Sequence, residues 1–111
     1  MQENQETLRL NEEIDAAGGH CSLNLVGWLD SSNSFLLEQW LDANLGKGYK
    51  RIAFCCEDLQ FASSAGIRVF LNAARRIKQM DDCDLVFSRV RENLQRVFIM
   101  TGMNKIITLA D

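Results

Sequence analysis

At 111 residues the chain suits one domain, and its 47% hydrophobic and 24% charged content is ordinary for a globular protein. A net charge of −3, from 15 acidic and 12 basic side chains, leaves no electrostatic footprint for nucleic acid or an anionic membrane surface. Four cysteines without a C-x-x-C pair, beside a single histidine, lack the clustered spacing of a zinc site, and no cofactor is implied.

Residues 1–6 are polar and acidic and read as a flexible tail without the apolar stretch of a signal peptide. No apolar run approaches the roughly 20 residues of a membrane span. With Cys21, Cys55, Cys56 and Cys83 read as small reduced side chains, a cytoplasmic protein with no direct membrane insertion is expected. Leu8, Leu10 and Ile14 predict a first strand over Thr7–Ile14. Ala16-Ala17-Gly18-Gly19 reads as a turn. Cys21, Leu23, Leu25 and Gly27 then alternate with more polar neighbours, which predicts an antiparallel hairpin.

Ser31, Ser32, Asn33 and Ser34 offer N-caps for a helix carrying Leu37, Trp40, Leu41 and Leu45, stopped by Gly46 and Gly48. Trp40 is expected in the core, and Trp28 partly exposed beside the loop. Ile52-Ala53-Phe54-Cys55-Cys56 has almost no polar side, as a central parallel strand covered on both faces would. A loop over Gln60–Gly66 leads to a second helix with Ile67, Phe70, Leu71, Ala74 and Ile77 on one stripe. Leu85–Phe87 is a short strand. A third helix carries Leu94, Val97, Phe98 and Thr101, with Gly102 as C-cap, and Ile106–Leu109 is a last strand. The order β-β-α-β-α-β-α-β predicts a single α/β domain: a mixed sheet with an N-terminal antiparallel hairpin, parallel strands and packed helices.

The chemistry gathers at Ser63-Ser64-Ala65-Gly66, where a strand-loop-helix unit turns. A helix start carries free N–H groups and the positive end of the dipole, which tolerate a phosphate. Serine is also a preferred N-cap, so one of the two hydroxyls has a purely structural use. Nucleophilic catalysis needs a base, but His20 sits in a hairpin turn and G-x-S-x-G is absent, so no enzyme is expected. Asp30, Glu57 and Asp58 lie near strand ends and suit capping and loop solvation.

The pattern resembles the STAS domain family over about Thr7 to Leu109, with the domain taken as 7–111. The matching pieces are Leu25-Val26-Gly27-Trp28-Leu29-Asp30, Glu57-Asp58-Leu59-Gln60-Phe61, Ser63-Ser64-Ala65-Gly66-Ile67, and Met100-Thr101-Gly102-Met103-Asn104-Lys105-Ile106-Ile107. In the family's anti-sigma-factor antagonists the serine after an aspartate in this loop is phosphorylated. The resemblance therefore implies partner switching in transcription regulation, with Ser64 as phosphoacceptor and Ser63 a lesser candidate. It implies as partners an anti-sigma factor that is a serine kinase of the histidine-kinase-like ATPase type, and a PP2C-type phosphatase. Ser63 stands where the family has aspartate, and Ala65 where it has a second hydroxyl. Alanine there also resembles STAS subunits that dock on the ABC ATPase of lipid-asymmetry transporters, without phosphorylation. A small-ligand sensor is a third reading. The expected contact surface is Trp28, Asp30, Ser31 and Asn33 with Gln60, Ala62, Ser63, Ser64, Ala65, Gly66 and Arg68.

Overall fold

Alternating apolar and polar side chains build the first hairpin. Strand β1 (Leu8–Asp15) runs antiparallel to β2 (His20–Leu29), with Leu10 opposite Leu25 and Ile14 opposite Cys21. The computed structural model describes residues 8–110. The expected tail 1–6, Thr7 of the expected first strand, and Asp111 lie outside the described residues.

Every later strand is parallel to β2 or to a strand that is. Strand β3 (Arg51–Cys55) lies between β2 and β5 (Asp84–Ser88), and β6 (Thr108–Ala110) closes the far edge beside β5. The helices are α1 (Ser34–Asn44), α2 (Ser64–Lys78) and α3 (Glu92–Thr101). The expected order holds with one addition. A short strand β4 (Leu59–Ala62) pairs with the end of β2, beyond the reach of β3, where a loop from Gln60 was expected.

All three helices pack on one face of the sheet. Leu23, Leu25, Ile52, Phe54, Leu85 and Phe87 of the strands meet Leu37 and Leu41 of α1, Val69, Phe70 and Ala73 of α2, and Leu94 and Phe98 of α3. At the centre Phe87 makes near-perpendicular ring contacts with Phe54, Phe70 and Phe98 at centroid distances of 5.2, 5.1 and 5.1 Å. This is the edge-to-face arrangement that aromatic quadrupoles favour. The other face carries small side chains such as Ser22, Ala53 and Val86, all half-buried. The expectation of a central strand covered on both faces is corrected accordingly: the helices clothe only the side bearing Ile52 and Phe54.

Two further expectations shift. Trp40 is half-buried, not central; its indole N–H donates to Glu12 Oε1 at 2.7 Å and ties α1 to β1. An indole N–H needs an acceptor, which holds the ring at the core's rim. The last strand begins at Thr108, because Ile106 and Ile107 belong to the turn that follows a short 3-10 segment, Met103–Lys105.

Candidate functional site

The site is assembled where β2 ends. Gly27 adopts φ 108, a conformation that favours glycine, beside a register shift between β2 and β4. Gly27 pairs with Leu59 and Trp28 with Phe61, so Gln60 is the extra residue of a β-bulge. The bulge sets Phe61 beside Trp28, with ring centroids 5.8 Å apart. Trp28 is 51% and Phe61 45% exposed, so this pair is an apolar surface, not core. Strand alternation puts Leu25 and Leu29 under the helices and Trp28 on the opposite side of the sheet.

One residue beyond β4, the chain is pinned and turned. Ser63 donates its amide to Leu29 O at 2.8 Å. Its side chain accepts from Gly66 N at 3.4 Å, which makes Ser63 the N-cap of α2. The first helical backbone bond runs from Ile67 N to Ser63 O at 2.9 Å. Ser64 is thus the first residue of the helix, and it is exposed. The amides of Ser64 and Ala65 have no acceptor within the helix and stand at the positive end of its dipole. Two adjacent hydroxyls therefore have different duties: Ser63 holds the helix start, and Ser64 faces outward.

Gly66 is buried. A Cβ there would stand 2.7 Å from Leu29 Cγ, 2.8 Å from Leu29 Cδ2 and 3.2 Å from Leu29 O. The close approach expected at this glycine is real, but the approaching group is the domain's own β2. Gly66 is therefore a packing residue that sets the distance between α2 and β2.

The edge from Trp28 to Asn33 is a closed turn. Ser34 N and Asn33 N donate to Asp30 O at 2.8 and 3.2 Å, and Asp30 Oδ1 accepts from Ser32 N and Ser32 Oγ at 2.9 and 2.6 Å. Asn33, expected as an outward contact, is buried instead. Its Nδ2 donates to Trp28 O and its Oδ1 accepts from Asp30 N, both at 2.9 Å. The amide reaches back to the strand and does not cap α1. Ser31 is exposed and Asp30 half-buried.

Of the remaining expected residues, Gln60 and Arg68 are exposed, and Ala62 and Ala65 are half-buried. Phe61 lies inside the expected contact loop Gln60–Gly66, whereas Phe35 (50% exposed) lies outside every expected contact stretch. Phe35 was legible as an apolar residue off the Leu37–Leu41 stripe; the bulge hid the pairing of Phe61 with Trp28. Phe61 also borders a shallow groove of about 220 Å³ between β4 and α3, lined further by Leu59, Asn93, Leu94 and Val97. His20 is the exposed first residue of β2. Burial, and then the charge of Cys55, pushes the Cys56 thiol up to about 12. Burial raises Cys21 and Cys83 as well, helped by the carboxylates of Glu12 and Asp84 respectively. Those three thiols stay protonated and inert near neutral pH. Among the described residues no helix is long and apolar enough to cross a membrane.

Comparison with known proteins agrees with this architecture. A family model described as the STAS domain matches residues 11–111. BtrV of Bordetella bronchiseptica, provisionally named an anti-sigma factor antagonist, is 31% identical over 98 residues, covering 88% of this chain and 84% of that protein. The unphosphorylated form of the anti-sigma factor antagonist SpoIIAA superposes with a TM-score of 0.75 at 16% identity, over 93% of this chain and 88% of its own. An anti-sigma factor antagonist from Mycobacterium paratuberculosis gives 0.76 at 16% identity, over 93% and 85%. Those identities speak for the fold alone. With the family model spanning nearly the whole chain, and a relative of 31% identity aligned over most of it, this chain belongs to the STAS domain family and has the fold of its anti-sigma factor antagonists.

Proposed function

We propose that this chain is an anti-sigma-factor antagonist: a non-catalytic docking module whose binding is switched by phosphorylation of Ser64. The observation that carries the reading is the exposed hydroxyl at the first position of α2, adjacent to a separate capping serine. The partner kinase supplies ATP. Ser64 Oγ attacks the γ-phosphorus, the bond to the leaving ADP breaks, and the hydroxyl proton passes to a base of the kinase. A PP2C-type phosphatase reverses this by hydrolysis, returning the hydroxyl and inorganic phosphate.

The ester adds about −1.5 to −2 charge and three acceptor oxygens. The free amides and dipole at the start of α2 favour that charge by roughly 0.3–1 kcal/mol. The fold therefore keeps its stability. A protein seated on Trp28, Phe61 and the α2 start meets a bulky dianion and loses affinity. Ser63 suits the role less well, because a phosphate on its oxygen would displace the cap on Gly66 N.

Incubation with ATP and a cognate anti-sigma kinase of the histidine-kinase-like type, followed by mass spectrometry, is expected to add one phosphoryl group to the parent and none to Ser64→Ala. Ser64→Glu is expected to melt like the parent and to bind the kinase about tenfold or more weakly. Phosphate on another residue, or equal affinity of parent and Ser64→Glu, overturns the proposal.

A second reading keeps the docking surface and drops the phosphate. It is favoured by neutral Ser63 and by Ala65 beside the hydroxyl. Stable capture of an ABC ATPase subunit, with no change in mass, would select it.

A further inference from the structure

Arg68 is exposed and, like Arg9, Arg51, Arg75 and Arg91, takes part in no ion pair among the described residues, whereas Arg76, Arg89 and Arg96 each face a carboxylate. It follows Ser64 by four residues on the uninterrupted helix α2. Residues at i and i+4 share a face, with Cβ atoms about 5–6 Å apart, and an anion N-terminal to a cation is the better orientation. An arginine spans that distance and grips phosphate oxygens with two N–H groups at once.

We infer that Arg68 is the built-in counter-ion of phosphorylated Ser64, closing across the first turn of α2. The inference rests on the phosphorylation reading and deepens it. In the resting protein this end of the helix presents one free guanidinium to an incoming protein. After phosphoryl transfer the same guanidinium is drawn onto the ester, and the pair presents roughly −0.5 to −1 charge. One modification thus removes a cation from the docking surface and installs an anion. Charged groups on or beside the packed elements are Asp30, whose carboxylate already holds Ser32; Glu38, in the groove between α1 and α2 beside Val69, Asn72 and Arg75; Asp42, paired with Arg76; and Glu57, paired with Arg89, with its neighbour Asp58.

The test needs no partner protein. Phosphoserine is incorporated at position 64 by genetic encoding, and its second ionisation is followed by phosphorus NMR in the full chain. The free value is about 6. With Arg68 present the midpoint is expected about 0.15–0.35 of a pH unit below that of the Arg68→Gln protein, with Arg68→Lys between them. Arg75→Gln, about three helical turns away, is expected to leave the midpoint unmoved. Equal midpoints for parent and Arg68→Gln, or an equal response to Arg75→Gln, overturn the inference. Because the phosphate is installed without a kinase, these outcomes are independent of whether the kinase experiment succeeds.

Discussion

At the scale of single residues, Gly66 shows how sequence and structure divide the information. Its place after two serines at a helix start was plain, and so was the need for a close approach. The identity of the approaching group was not, because Leu29 is 37 positions earlier and only the β2–β4 pairing brings it there. Gly66→Ala gains about 1 kcal/mol of helix propensity but drives a methyl into a buried leucine, an overpacking worth about 1–3 kcal/mol. A net loss of up to about 2 kcal/mol is expected, read as a lower melting temperature. A variant as stable as the parent would mean that Leu29 yields freely. The exposed hydroxyl of Ser64 was legible for the opposite reason: its setting is local, fixed by the cap and the first helical turn.

At the scale of elements, the β2–α1 turn and strand β4 were the least legible parts. A row of Ser31, Ser32, Asn33 and Ser34 signals a helix start without saying which side chain does what. The structure gives Asn33 the backward reach to Trp28 O and Asp30 N. Asn33→Ala strips two bonds from a buried site, and a loss of about 1–3 kcal/mol is expected. Hydrogen exchange supplies the specific sign: the Asp30 amide, which Asn33 holds, should lose protection more than amides of β3 do. Uniform loss across the domain would assign the effect to general packing. Strand β4 escaped notice because a bulge breaks its alternation within four residues, leaving no period to read. The hairpin strands and α2 are long enough for periodicity to show their buried face.

At the scale of the whole molecule, stability concentrates in the Phe54, Phe70, Phe87 and Phe98 cluster, which joins β3, β5, α2 and α3. Phe87→Ala empties its centre and is expected to destabilise by about 3–5 kcal/mol, a large share of the 5–15 kcal/mol typical of a domain. Urea unfolding should show a lower midpoint with an unchanged slope; a changed slope would report an altered unfolded or native ensemble. That each phenylalanine was apolar and periodic was visible beforehand. Their meeting at one point required the strand order.

The one-sided placement of the helices has a consequence for recognition. Trp28 lies on the uncovered side of the sheet, while Ser64 opens a helix on the covered side. A protein that grasps both must straddle the rim where the two layers are clamped together. Such a footprint exists only where sheet and helix layer are joined, so its two halves come together only once both layers are in place.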